Sequence, residues 1–162
     1  VRLSTEISLM TTDNLSGVKH MSYAIDPSTD TVPGVAFEKP FTLPTEGEHK
    51  LAFEATDNVN NKSKRDNVKL FVDERSPEIY HHFSVNPTVP IENIYPLKSL
   101  LYLAATDKQS GIREIYYTIN GGEKIKYKKP LSFSKKTDYL VEIQAIDNVG
   151  NESSSRVSFT IQ

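Results

Sequence analysis

Cysteine and tryptophan are both missing from this 162-residue chain. The first absence removes disulfide staples, thiolate metal sites and cysteine nucleophiles together. The second leaves any sugar-stacking platform to tyrosine. No stretch approaches the run of roughly eighteen apolar residues that a membrane-spanning helix needs, and the opening residues form no basic, apolar leader. A strong excess of either charge is lacking as well. The net charge is −2, divided as −3 through Arg75 and +1 from Ser76 onward. Neither half is basic enough to follow a phosphate backbone, so nucleic acid is not an expected partner. What is present, 37% hydrophobic and 25% charged residues, suits a folded chain with a modest core.

The chain repeats itself. "ATDNVNN" (Ala55–Asn61) returns as "AIDNVGN" (Ala145–Asn151), and "KPFTL" (Lys39–Leu43) as "KPLSF" (Lys129–Phe133), both at an offset of 90. "TDNLSGV" (Thr12–Val18) returns as "TDKQSGI" (Thr106–Ile112) at an offset of 94. Four extra residues therefore lie in the first copy between Gly17 and Pro40, and the turn-rich "DPSTDTVPG" (Asp26–Gly34) is where they are expected, as an elongated loop. Such duplication implies two like units in series, expected at residues 1–74 and 75–162 with "DERSP" (Asp73–Pro77) as a short linker. The second copy has a leading segment, "SPEIYHHFSVNPTVPIENIYP". Its prolines Pro77, Pro87, Pro90 and Pro96 suit an edge strand and its loops. The first copy has only "VRLSTE" before Ile7. Its first strand is expected to be missing, or supplied by a preceding segment of a longer chain.

Within each copy apolar residues alternate with a period of two, the pattern of half-buried strands. Copy two shows Leu101/Leu103, Ile115/Tyr117/Ile119, Tyr139/Val141/Ile143/Ala145 and Val157/Phe159/Ile161. Copy one matches them with Ile7/Leu9, Met21/Tyr23/Ile25, Leu51/Phe53/Ala55 and Val68/Leu70/Val72. No helical period competes, and short strands with turn signals every ten residues or so indicate an all-β sandwich. Tyr23 and Tyr117, each six residues after the glycine of an "SG" pair, are expected to anchor the two cores. In the repeated phrase, Asp and Asn suit a tight turn whose side chains bond nearby backbone N–H groups. Gly150 supplies a positive φ there, with Asn60 as its substitute in copy one.

The order D-x-x-S-G-[VI]…Y-x-[IL]-[DN]…P-[FL]…A-x-D-N-x-x-N resembles the Ig-like repeats of bacterial cell-surface and outer-membrane proteins, and it covers nearly the whole chain twice. "IYYTINGGEKIKYKKPLSF" (Ile115–Phe133) also resembles the Ig-like accessory module of chitobiase-type enzymes, although copy one carries "DPS" (Asp26–Ser28) in place of "NGG". The resemblance implies two tandem immunoglobulin-like (fibronectin III-like) β-sandwich domains, serving as a spacer or adhesive binding module. It places them at a cell surface, associated with an outer membrane, or in a periplasmic or extracellular space. The implied partners are neighbouring domains of a longer chain, with a surface protein or glycan beyond them. The alternative is an accessory module of a secreted polysaccharide-degrading enzyme.

No catalytic constellation is legible. His20, His49, His81 and His82 stand at no metal-ligand spacing, and neither a nucleophile elbow nor a phosphate loop occurs. No cofactor is expected. Tyr102, Tyr116 and Tyr127 are expected towards solvent, as is ordinary for aromatics on strands. In "KIKYKK" (Lys124–Lys129), alternation places Lys124, Lys126 and Lys128 on one face. Lysines there discourage edge-to-edge pairing of sheets; the sharper reading is a patch for an acidic glycan or lipid phosphate. Asp107 and Asp147 would approach the linker acids Asp73 and Glu74 if their loops share an end of the sandwich. Four carboxylates would supply part of the six to eight oxygens that calcium takes. The expectation is instead that each Asp caps its own turn, with no metal.

Overall fold

A computed structural model describes every residue except Asp30. The chain is all-β and divides into two compact units, Val1–Glu74 and Arg75–Gln162, each an immunoglobulin-like, fibronectin III-like β-sandwich. Among the described residues the only helical element is a 3-10 turn at Pro90–Glu92, and no helix is long and apolar enough to cross a membrane.

Unit 2 shows the complete architecture. One layer is a five-stranded sheet in the order β6-β12-β11-β8-β9: Ile94–Tyr95, Glu152–Ile161, Asp138–Asp147, Ile112–Ile119 and Ile125–Lys126. The other is three-stranded, β10-β7-β5: Leu131–Ser132, Leu100–Thr106 and Glu78–Phe83. The β8/β11 register sets Tyr117 opposite Ile143, and β11/β12 sets Tyr139 opposite Phe159. Residues of one parity therefore share the inner face. Leu101, Leu103, Leu131 and Phe133 meet Val141, Ile143, Phe159 and Ile161 between the layers. The four prolines of the leading segment all fall outside β5, an edge strand paired only to β7.

Unit 1 repeats the larger sheet in the order β2-β1-β3-β4: Val35–Ala36, Val18–Ile25, Gly47–Asp57 and Asp66–Val72. Its second layer is reduced. The strand expected around Ile7 and Leu9 survives as a single bridge, Ile7 to Phe41, the counterpart of the Leu101–Leu131 pair in unit 2. The link between β1 and β2 is nine residues (26–34), against five (120–124) between β8 and β9. That difference accounts for the change of repeat offset; Asp30, inside the expected elongated loop, lies outside the described residues. Tyr23 stacks on Phe41 with centroids 3.9 Å apart, and Tyr117 packs edge-on to Tyr127 at 6.5 Å. Both rings are half-buried and inward.

Candidate functional site

The two repeated signatures, D-x-x-S-G and D-N-x-x-N, lock onto each other within each unit. Asp147 is fully buried. Its Oδ1 accepts N–H bonds from Val149, Gly150 and Asn151 at 2.9, 2.6 and 2.8 Å, and its Oδ2 accepts the Asn151 side-chain amide at 2.8 Å. Burial alone would push this carboxyl's pKa up. Hydrogen bonds from Asn151, Ser110 and Gly150 outweigh it and hold the group below its ordinary value. Gly150 sits at φ +95, and Asn60 takes the same turn in unit 1 at φ +70. Asp107 Oδ1 gathers the N–H groups of Gln109, Ser110 and Gly111 at 2.8 to 3.0 Å.

The residue after each turn aspartate joins the two loops. The Asn148 side-chain amide donates to the Ser110 carbonyl at 2.7 Å, while its backbone N–H donates to Gly111 at 3.1 Å. Asn58 does the same to Ser16 and Gly17 at 2.7 and 3.1 Å. A Cβ on Gly17 (φ +78) would stand 3.1 Å from the Asn58 amide nitrogen, so the glycine is required by contact as well as by its backbone angle. Sequence reasoning read the two turns separately and missed Asn58 and Asn148 as the clamps between them. The signal was available, because both motifs recur together in both copies.

Of the four acids weighed for calcium, Asp73 and Glu74 close unit 1, and Asp107 and Asp147 belong to unit 2. Glu74 is engaged inside its own unit: Oε1 accepts the Leu3 N–H at 2.6 Å and Oε2 lies 3.7 Å from Arg2. Asp107 and Asp147 each collect backbone N–H donors of the turns they open, which is capping geometry.

The lysine run is divided among local partners. Lys124 Nζ lies 4.6 Å from the centre of the Tyr116 ring, a cation–π distance. Lys126 pairs with Glu114 at 2.7 Å, and Lys128 is exposed beyond the end of β9. Lys124 and Tyr116 edge a groove of about 650 Å³ on the outer face of the large sheet, with Glu142, Gln144 and Arg156. Across the strands Arg156 pairs with Glu142 at 2.9 Å, and the Gln144 side-chain amide donates to the Glu152 carboxylate at 2.7 Å. Tyr127, expected towards solvent, instead packs on the core, and its hydroxyl oxygen accepts the Leu103 N–H at 3.1 Å. Pairing with β8 continues past β9, the Tyr127 N–H donating to the Ile115 carbonyl at 2.8 Å, so alternation with Lys124 and Lys126 outward places Tyr127 inward. Tyr102 is half-buried and stacks on His82, rings 4.7 Å apart.

One histidine is built into unit 1. His49 is buried, with Nδ1 2.7 Å from Asp26 Oδ2 and Nε2 2.8 Å from the Thr45 carbonyl. Both neighbours are acceptors, so both ring nitrogens are called on to donate, which is the imidazolium form. The bond to Asp26 raises the pKa of His49 above 6.5, and the same bond lowers that of Asp26. A raised histidine pKa stabilises fully below the unfolded value, and that stability is lost as pH rises through the folded value. The Asp26 contribution is present above its unfolded value of 3.8 and is lost as pH falls through the lowered one. Unit 1 should therefore be more stable in urea at pH 5.5 than at pH 8.5. His49→Gln should remove most of that difference, and a difference that survives it would assign the effect to other groups.

No family model matches the chain, and no curated protein is similar to it. Among solved structures it is similar to fibronectin(III)-like modules of Clostridium thermocellum CbhA at 12% identity, with a TM-score of 0.45, covering 94% of this chain and 82% of that one. It is also similar to the extracellular domain of protocadherin gammaB4 (19% identity, TM-score 0.34) and to extracellular cadherin domains 3–6 of protocadherin gamma B2 (17%, 0.34). The matches cover 87% and 100% of this chain but only 25% and 43% of the protocadherin chains. Likenesses this distant carry no argument about what the chain does.

Proposed function

We propose that the chain is a non-enzymatic spacer or adhesive module of a bacterial surface protein, holding its neighbours in a longer polypeptide. The observation that carries this reading is the use of the repeated polar residues. In both units the repeated turn aspartates are bound to backbone groups of their own turns and the following asparagines to the facing loop, where they stiffen the sandwich. On the outer sheet face, the ionised groups named above answer one another across strands, so a ligand would have to displace existing pairs. The mechanism is mechanical: a rigid sandwich transmits force and position along the chain.

Stretching the full chain by its ends tests this. Two separate unfolding events are expected, releasing about 270 Å and 320 Å of contour at ~3.6 Å per residue for the two units. A single event, or extension without resistance, would contradict a load-bearing pair. Cosedimentation with chitin and cellulose covers the alternative. The chain should stay in the supernatant; retention on either polymer would favour an accessory module of a polysaccharide-degrading enzyme.

A further inference from the structure

The last strand of unit 2 leaves most of one side unpaired. β12 ladders with β11 at nine consecutive positions, from Asp138–Thr160 to Ile146–Glu152, without a register shift. On its other side β6 pairs with it only at Thr160 and Ile161. Before Ile94 the leading segment folds on itself instead of continuing along β12. The Thr88 N–H donates to the Ile94 carbonyl at 2.7 Å, across the 3-10 turn at Pro90–Glu92. Among the described residues no strand pairs with the free side of β12 from Glu152 to Ser158. A groove of about 220 Å³ lies beside its upper half, edged by His81, Phe83 and Asn93. The open edge is therefore set by the path of residues 84–93, which lie inside the chain.

Alternate residues of a strand send their main-chain groups to opposite sides. The Thr160 and Gln162 N–H groups donate to Asn93 and Tyr95 on the free side, whereas that of Ile161 donates to Thr137 on the β11 side. Even-numbered residues down to Glu152 thus offer N–H and C=O outwards, and Glu152, Ser154, Arg156 and Ser158 are exposed. Open edges are ordinarily blunted by lysine, proline or a bulge. Unit 1 does this at the same place: its ladder breaks between Thr56–Lys62 and Phe53–Asp66, and the break carries Lys64 and Arg65. β9, at the other end of the unit 2 sheet, is two residues long and lies within the lysine run. β12 has no lysine, proline or bulge. It reads E-S-S-S-R from Glu152 to Arg156, one acid and one base placed symmetrically about Ser154.

We infer that the free side of β12 is a self-association edge, which pairs antiparallel with the same strand of a second copy of this chain about a twofold axis at Ser154. In that register Glu152 of each copy stands opposite Arg156 of the other, and Ser154 opposite Ser154. All three are outward-directed residues, so each facing pair exchanges both main-chain bonds. Opposite charges facing across strands attract and like charges repel. Moving the axis to Glu152 or Arg156 would set like charges face to face, so charge selects the register. Arg156 gives one nitrogen to Glu142 at 2.9 Å while its side chain stays 75% exposed, which leaves guanidinium donors for a second carboxylate. Glu152 accepts the Gln144 amide on Oε2, and a carboxylate has a second oxygen to offer. Both charges therefore keep their present partners in the pair. A second copy is the occupant this edge fits, because the strand is its own charge complement. One strand pair buries little area, so the association is weak and concentration-dependent.

Sedimentation equilibrium of the full chain, from about 10 µM to about 1 mM, tests the pairing. A monomer–dimer equilibrium is expected. Arg156→Glu and Glu152→Arg each set like charges opposite one another and should weaken it by about tenfold or more. Both side chains are exposed, so each variant should keep the two thermal transitions of the parent chain. An equimolar mixture of the two variants should dimerise again, because opposite charges then meet at both positions; a chain carrying both changes should do the same. Hydrogen exchange reads the register. The amides of Glu152, Ser154 and Arg156 should gain protection as concentration rises, while those of Ser153 and Ser155, on the β11 side, should not change. A chain that stays monomeric at the highest concentration would overturn the inference, as would dimers indifferent to both charge variants. Protection gained along β4 or β5 instead would assign the contact to another edge and overturn it as well.

Discussion

Truncating Phe159 to alanine should destabilise unit 2 by about 4 kcal/mol, within the range for large-to-small changes in an aromatic core. The ring sits 4.9 Å from Phe83, 4.9 Å from Phe133 and 5.5 Å from Tyr139 (centroid distances), so it joins both sheets and the edge strand. Its removal leaves a cavity that three neighbouring rings cannot fill without leaving their own contacts. Leu70→Ala, at the equivalent place in unit 1, should cost roughly 1–2 kcal/mol, since a half-exposed side chain has less apolar area to lose. Denaturant unfolding of the full chain, resolved into two transitions, measures both. Equal costs would show that the inner face of unit 1 is covered after all.

Asp147→Ala should cost unit 2 roughly 3 kcal/mol or more. Three backbone N–H groups and the Asn151 amide lose one acceptor residue, in a place from which water is excluded. Asp57→Ala in unit 1 should cost less, because Asp57 is only half-buried and water can replace part of what the carboxylate accepts. Hydrogen exchange offers a second readout: the amides of Val149, Gly150 and Asn151 should lose protection in Asp147→Ala ahead of global unfolding. Protection unchanged at those three amides would mean that the carboxylate does not hold the turn.

Strand faces were the most legible part of this fold. Alternation depends on neighbours in sequence, and it placed Tyr117, Val141, Ile143, Phe159 and Ile161 towards the core where the structure has them. It also holds at Ile7 and Leu9, half-buried between exposed Ser8 and Met10, although among the described residues their segment pairs only through the Ile7–Phe41 bridge; a pattern describes a strand's faces and not its company. The solvent-facing expectation for Tyr127 departs from that same alternation: with Lys124 and Lys126 outward, Tyr127 pairs alongside Ile115 on the inner face. Of the polar network, the turn-capping aspartates were readable from residue type, because their partners lie two to four positions away. The Asn148 bond to Ser110 spans 38 residues and the His49 bond to Asp26 spans 23. Distances of that kind in sequence carry no local signature, so those contacts became visible only in three dimensions.

The clamp between Asn148 and the Ser110–Gly111 turn has a consequence for heredity. Four positions, Ser110, Gly111, Asp147 and Asn148, share one set of bonds, and the same four recur as Ser16, Gly17, Asp57 and Asn58. A substitution at Gly17 brings a Cβ to 3.1 Å from the Asn58 amide and requires a positive φ of it as well. Its cost therefore depends on whether Asn58 is still present, and the two changes are expected to be non-additive. Selection acting on such a quartet sees a single trait. Two residues separated by dozens of others would drift together or not at all, so copies of this module can diverge over nearly all their surface while still carrying the same short phrases.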